Sequence, residues 1–309
     1  MPDHTSGLTS VVVVAADSGP LLQRCIDSVL ASRAVEVLLV DNASRDGEVE
    51  RLQTRHGADA RVRIIRNAQN LGFGPACNRG AASARGDVLV FLNPDAEVEP
   101  ETVSALRALL ASDARIGMLG VEVCDPGGTP ARGNRRRDPT VRRALATLSG
   151  LARLESRWPR LEGVEVRAPA VGRERAQGDL ERVEAVSGAC MAVPATVFAV
   201  VGGFDEGYFL HAEDLDLCRR IRDAGFDVAI AAGLRIVHAQ GSSSRERPLF
   251  VSRHKHRGMW RYFLKFDPAA RNPLIRGLVW MGLWMHFGLV AVMHGAGRIV
   301  PAKRRQSAG

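Results

Sequence analysis

The side chains able to do acid–base chemistry gather in a few short clusters. They are Ala15-Ala16-Asp17-Ser18, Asp41-Asn42-Ala43-Ser44, Asn93-Pro94-Asp95, and His211 followed by Glu213-Asp214-Leu215-Asp216, with His238 further on. An ionised carboxylate is an acceptor only, so it can take a proton from a hydroxyl or hold a donor N–H. Each cluster also has a plainer reading. Asp41-Asn42 makes a good helix-capping turn, acids in a first helical turn suit the helix dipole, and a histidine at a strand end can be a satisfied sheet-edge residue. Helix dipole explains the type of Glu213, Asp214 and Asp216, but not why three stand together beside a histidine.

The elements around these clusters alternate in a regular way. SVVVV (Ser10 to Val14), VEVLLV (Val35 to Val40), VRII (Val62 to Ile65) and DVLVFL (Asp87 to Leu92) read as strands. Between the first two, Leu21, Leu22, Cys25, Ile26, Val29 and Leu30 form one helical face behind Ser18 as N-cap and Pro20 in the first turn. Helices are predicted over roughly 74 to 84, 100 to 111 and 212 to 224, and later strands over 186 to 194, 228 to 231 and 235 to 239. This is the pattern of βαβ units around a mostly parallel sheet. Three of the polar clusters then fall at the carboxyl ends of strands, the edge where open α/β sheets bind ligands. One such cluster is an ordinary turn; three on one edge point to a site.

The 309 residues, 46% hydrophobic and 25% charged, suffice for a substantial core and exclude disorder or a collagen-like repeat. Five dispersed cysteines without a CxxC spell neither a disulfide framework nor a zinc knuckle, which suits a reducing compartment. The first nine residues lack an apolar stretch and carry Asp3, unlike a signal peptide. Nucleotide folds of two kinds are excluded by motif. The first strand leads into Asp17-Ser18-Gly19-Pro20 instead of a G-x-G-x-x-G turn, and no G-x-x-x-x-G-K-[ST] occurs. The formal charge of +8 is carried almost wholly by arginine and by itself does not choose between nucleic acid, anionic lipid and phosphorylated substrates.

From about Leu8 to Ser243 the chain resembles inverting, GT-A-type family 2 glycosyltransferases, in particular the rhamnosyltransferase-like branch that builds bacterial cell-surface glycans. The resemblance rests on the order of VVVVAADSG…CIDSVLAS, LLVDNASRDG, NLGFGPACNRG, LVFLNPDAEV, GGFDE, FLHAEDLDLCRRIRDAGF and VHAQGSS. It implies a GT-A catalytic domain over 1–240 with a mostly parallel central sheet flanked by helices. It also implies a nucleotide-diphosphate sugar donor (dTDP-rhamnose first, UDP-sugars second) and a lipid-linked or glycan acceptor in cell-envelope polysaccharide synthesis. Asp214 is then the general base, with His211 and Glu213 on the acceptor side. Asp17, Asp41, Asn78, Arg79, Asn93 and Asp95 fall on the donor side, Asp41 reading the imide of a pyrimidine. Asp95 and His238 would hold a divalent cation, Mg²⁺ or Mn²⁺, against the diphosphate. Ala15-Ala16 departs from the polar or aromatic pair usual there, and Asn93 from the acid-x-acid pattern. The rivals are a sugar nucleotidyltransferase, which would want a glycine-rich basic loop after the first strand, and a non-catalytic membrane scaffold.

Two stretches break the alternation. Residues 125–183 dissolve into Gly, Pro and Arg, including RGNRRRDP, and read as an irregular, partly mobile excursion. After about 241 the composition turns basic and aromatic, then apolar, with Gly277 to Gly297 free of Asp, Glu, Lys and Arg. This 241–309 segment reads as a helical appendage that places the protein on the inner face of the cell membrane, as a peripheral cytoplasmic enzyme and not a nucleic-acid binder. The helix is expected to lie in the membrane plane or re-enter it, because Lys303-Arg304-Arg305 opposes export of the tail. Burial in a homodimer interface is the alternative.

Overall fold

The computed structural model describes residues 5–131, 133–166, 179–239 and 247–299. Its centre is a nine-stranded sheet. The first half is parallel and built as predicted: β3 (Val62–Arg66), β2 (Val35–Asp41), β1 (Thr5–Ala15) and β4 (Gly86–Leu92) lie side by side. β2 is buried along its whole length and β1 from Thr9 to Ala15, which is why both contain continuous aliphatic runs. Helices α1 (Leu21–Leu30), α2 (Glu48–His56) and α3 (Phe73–Ala82) form the crossovers. The predicted apolar face of α1 is buried through Leu22, Cys25, Ile26 and Val29. Its expected cap is not made: Pro20 occupies the N-cap position, and Ser18 Oγ instead accepts from Ala16 N at 3.2 Å.

Beyond β4 the order becomes mixed. β10 (Cys190–Pro194) inserts antiparallel between β4 and β6 (Ile116–Cys124), and β11 (Asp227–His238) runs parallel to β6. The short β5 (Ala96–Val98) and β8 (Leu180–Arg182) pair antiparallel with β11, and α4 (Thr102–Ser112) leads into β6. The strands predicted over 228 to 231 and 235 to 239 are thus one strand. The register shifts between Ala231 and Arg235, at Gly233 with φ of 82°, and this bulge interrupts the sequence pattern without ending the ladder. The strand expected over 186 to 194 is instead broken at Ser187-Gly188-Ala189 into β9 (Ala185–Val186) and β10.

Two reversals of the sequence reading concern the irregular stretch and the C-terminal segment. Residues 133 to 139 are pinned: β7 (Arg135–Arg136) pairs with β9, Asn134 donates to Val123 O, and buried Arg135 bridges Glu122 and Glu181. Helix α5 (Val141–Leu148) follows, with Thr140 as its N-cap. Buried Asp138 accepts from Arg219 and Arg222 of α7 (Glu213–Asp223) and from the Tyr262 hydroxyl. Tyr262 belongs to α8 (Pro248–Phe266), so this helix is part of the catalytic body. Only α9 (Pro273–Ile299) extends from it as an appendage. A histidine contact, from buried His256 Nε2 to exposed His286 Nδ1 at 2.9 Å, ties α9 back to α8.

Candidate active site

The carboxyl edge of the parallel strands is laced together by its own polar residues. Asp41, at the end of β2 and 5% exposed, accepts from Ser44 N through Oδ1 and from Arg66 Nη1 through Oδ2, both at 2.9 Å. Asp17, after β1, accepts from Arg45 N at 2.7 Å, and Gly19 N donates to Asp46 at 2.9 Å. Buried Asn42 receives Asn67 Nδ2 and Leu71 N and donates to Asn70 and Gly72 O, which fixes the Asn70-Leu71-Gly72 loop beside the same edge. Four non-glycine residues at or beside the clusters, Asp17, Ala43, His211 and Ala212, hold positive φ. Left-handed backbone is unfavourable for residues with a Cβ, and such strain concentrates where geometry is fixed for function.

A second group forms where β4 ends and β11 returns. His238 Nε2 lies 2.8 Å from Asp95 Oδ1 and 3.3 Å from Asn93 Nδ2, with both the His238 and Asp95 side chains largely buried. β5 is what brings them together, since its pairing with β11 sets His238 opposite Ala96. An imidazole nitrogen and a carboxylate oxygen converging on one point suit a small divalent cation. Ligands at about 2.1 Å in adjacent octahedral positions lie about 3 Å apart, close to the separation observed. Among the described residues no third His, Cys, Asp or Glu joins them. Substrate oxygens and water would have to complete such a shell.

The third group is the head of α7. His211 and Ala212 turn the chain through left-handed backbone, and Glu213, Asp214 and Asp216 follow, all buried. Asp214 Oδ2 receives Arg136 Nη2 at 2.5 Å and Gly188 N at 3.2 Å, and Oδ1 receives Leu215 N at 2.8 Å. Burial by itself pushes the Asp214 carboxyl upward, but the Arg136 guanidinium and these N–H donors outweigh it and hold the group below its ordinary value. Glu213 next to it behaves oppositely. Burial first, then the Asp214 charge, push it up to about 8, and its Oε2 has no hydrogen-bond partner. His211 is half-buried, and the loss of solvent around its ring lowers its basicity; its Nε2 has no hydrogen-bond partner. The result is one ionised carboxylate between a protonated one and a guanidinium.

These groups are joined by the break between β9 and β10. Gly188 N donates to Asp214, while Ala189 O accepts from Asn93 N at 3.0 Å, so two adjacent residues connect Asp214 to the Asn-Pro-Asp corner. A Cβ at Gly188 would come within 3.1 Å of Asp214 Oδ2, so glycine keeps this approach open. Arg136 was not singled out by the sequence reading, which took the arginine run as part of an irregular stretch. The signal is the alternation in β7: adjacent residues face opposite ways, Arg135 toward Glu122 and Glu181, Arg136 toward Asp214.

Comparison with known proteins decides the family. The sequence profile of Glycosyl transferase family 2 matches residues 10–161. The N-acetylglucosaminyl-diphospho-decaprenol L-rhamnosyltransferase of Mycobacterium tuberculosis is 30% identical over 280 residues, covering 83% of this chain and 87% of the relative. The chain belongs to glycosyl transferase family 2. Solved structures show the GT-A fold for this glycosyltransferase. The mannosyltransferase PcManGT from Pyrobaculum calidifontis, in complex with GDP-Man and Mn²⁺, aligns with a TM-score of 0.57 at 15% identity over 97% of this chain and 83% of that one. GalNAc-T7 with UDP, GalNAc and Mn²⁺ aligns with a TM-score of 0.60 at 18% identity, over 91% of this chain and 55% of that one.

Not every residue expected on the donor side of the glycosyltransferase stands free to face a ligand. Asn78 is taken up by the loop before α7, donating to Phe204 O at 2.9 Å and accepting from Phe204 N at 2.8 Å. It is a positioning residue for the GGFDE loop. Arg79 is exposed and lines, with Asn78 and Glu206, a separate depression on the outer side of α3. Gln240 to Ser243, the end of the VHAQGSS motif, lies outside the described residues.

Proposed function

We propose that this glycosyltransferase moves a sugar, L-rhamnose first, from a dTDP or UDP donor to a lipid-linked acceptor in cell-envelope polysaccharide synthesis, with inversion. The observation that carries this is the ionised Asp214 joined through Gly188-Ala189 to the Asn93, Asp95 and His238 corner. One activated carboxylate beside a phosphate-side corner supports direct displacement: Asp214 accepts the acceptor hydroxyl proton as the oxygen attacks the anomeric carbon, and the nucleotide diphosphate leaves. Arg136 keeps Asp214 ionised for that step, and Glu213, holding its proton, adds no second negative charge beside it. Asp41 is the acceptor suited to a pyrimidine imide N–H, with Asp17 on the same edge. Asp95 Oδ1 and His238 Nε2 would hold a Mg²⁺ or Mn²⁺ ion. When bound, the ion neutralises charge on the diphosphate. The relative from M. tuberculosis, whose name specifies a diphospho-decaprenol acceptor, supports the acceptor class.

Membrane attachment from the cytoplasmic side belongs to the same reading. Pro273–His294 has a mean hydropathy of 1.5 and none of it is buried. A panel of nucleotide sugars incubated with a lipid-diphosphate acceptor tests the proposal. dTDP-rhamnose or a UDP-sugar should be consumed, the product's anomeric configuration should be opposite to the donor's, and EDTA should abolish turnover until Mg²⁺ or Mn²⁺ is restored. Undiminished transfer after exhaustive chelation contradicts the role of Asp95 and His238.

A further inference from the structure

A deep depression lies away from the strand edge. It is a cleft of about 660 Å³ between α8, the N-terminal half of α9 and the loop Gly207–Phe209. One face of α8 lines it through residues 254, 257, 258, 261 and 265, the spacing of a single helical stripe. Its chemistry is two-sided. Trp280 and Trp284, with ring centroids 6.5 Å apart, form an aromatic wall that continues into the unburied apolar surface of α9 at Leu278, Met281 and Met285. The opposite wall is cationic, and among the described residues no carboxylate residue lines the cleft.

The cations are not equivalent. Arg261 is held by both oxygens of Asp205, at 2.8 and 3.0 Å, and Lys265 Nζ lies between Asp205 at 2.8 Å and Asp216 at 2.6 Å. Arg257, one turn earlier, is exposed and has no acidic partner among the described residues. The floor of the cleft leads toward the base. Gly258 packs directly on the His211 carbonyl, so that a Cβ there would collide with it, and the loop that forms the floor runs through His211 into Asp214 at the head of α7. Asp214 is five positions beyond Phe209, at most about 18 Å of chain.

Resting on the reading of a lipid-linked acceptor, we propose that this cleft holds the diphosphate end of an isoprenoid acceptor, with Arg257 on the phosphate and Trp280 and Trp284 against the first isoprene units. Charge complementarity selects an anion and the aromatic wall selects an apolar chain attached to it. Neither a free phosphate nor an unfunctionalised prenyl chain uses both walls. The occupant also arrives from a bilayer, which is where the apolar side of α9 opens.

Three of the four tryptophans in the chain, Trp260, Trp280 and Trp284, line the cleft, so intrinsic fluorescence reports its occupancy. Full-length protein in detergent is titrated with farnesyl diphosphate, farnesol and inorganic pyrophosphate. Saturable change with farnesyl diphosphate, and at least about tenfold weaker response to each of the others, is expected. Arg257→Gln should weaken farnesyl diphosphate by about tenfold, the loss of one charge-assisted hydrogen bond, and Arg257→Lys should recover much of it. Equal binding of farnesol and farnesyl diphosphate, or an Arg257→Gln variant that loses only attachment to phosphatidylglycerol vesicles, overturns the proposal. Nucleotide-sugar titration of the unaltered chain separates the two levels. Donor binding and turnover without farnesyl diphosphate binding removes the cleft assignment alone; absence of donor binding removes the reading beneath it.

Discussion

Burial and charge oppose each other at Asp214, and the outcome sets both its chemistry and its pH behaviour. Because Arg136 wins, the carboxylate is ionised throughout the neutral range, and the stability it contributes is present above the ordinary Asp value and lost as pH falls through its lowered one. Asp214→Asn should reduce transfer about 10² to 10⁴-fold with donor affinity retained, read by steady-state kinetics beside donor titration. Arg136→Met leaves burial unopposed, so the Asp214 value rises and the acid limb of kcat/KM moves to higher pH; a profile that keeps its limb while falling uniformly assigns Arg136 a purely structural role. Glu213 has the opposite sign. Its folded value, pushed up to about 8, lies above its unfolded one, so native protein keeps a proton that unfolded chain has released. Stability therefore falls between about pH 4.5 and 8, by up to about 1.4 kcal/mol per pH unit. Glu213→Gln removes that slope, and urea denaturation at pH 5 and pH 8 should show its advantage growing with pH. The acid cluster is visible in the spacing, since three carboxylates in one turn exceed what a helix end requires, while a role for Asp214 comes only from the family resemblance. Arg136 is not visible in the sequence, because it is one of three adjacent arginines and only the pairing of β7 with β9 decides which one turns inward.

At the scale of elements, the predictable part is the part whose signals are local. β1, α1, β2 and β4 announce themselves through period and aliphatic content, and the structure places them within a few residues of the expected bounds. The segment after β6 was illegible for the converse reason. Its strands β7, β8 and β9 are two or three residues long, and the segment is held by ion pairs with partners far along the chain, such as Arg135 with Glu181 and Asp138 with Arg219. Periodicity cannot encode a two-residue strand. The same holds for α8, whose basic and aromatic composition resembles a surface helix although Tyr262 and Phe263 are buried and the Tyr262 hydroxyl reaches Asp138 at 2.8 Å. Gly258 is the test of that docking. In an exposed helix Gly→Ala stabilises by up to about 1 kcal/mol, but here the added methyl meets the backbone carbonyl of His211, which no rotamer change relieves. Gly258→Ala should lower stability by about 1 to 3 kcal/mol in chemical denaturation, and its transfer rate should fall as well, because His211 leads into Asp214, the proposed base. A stabilised variant with full activity would mean that α8 rides loosely on the body.

For the whole molecule, charge and apolar surface are divided between two helices that meet at one end of the fold. α8 carries Arg253, Lys255 and Arg257 on exposed positions, and α9 presents Leu274, Leu278, Met281, Met285 and Leu289 without burying them. A soluble surface does not keep so continuous an apolar face uncovered, and two kinds of contact fit it, a bilayer or a second copy. The basic residues favour the bilayer. Each adds about 1 kcal/mol near an anionic leaflet, while like charges on two copies of α8 would repel. Since α8 is bolted to the catalytic body through Asp138, Asp205 and Asp216, while α9 meets it chiefly through α8, removal of residues beyond 270 leaves the sheet and all three site groups whole. The truncated protein should therefore bind nucleotide sugar as the full chain does, float poorly with anionic liposomes, and use a lipid-linked acceptor much less well than a short soluble one. Flotation of both forms, with sedimentation equilibrium of each in detergent-free buffer, decides between the two contacts. Loss of flotation with an unchanged monomer mass places α9 on lipid; equal flotation, or a dimer that becomes a monomer on truncation, places the apolar face between two copies of the chain.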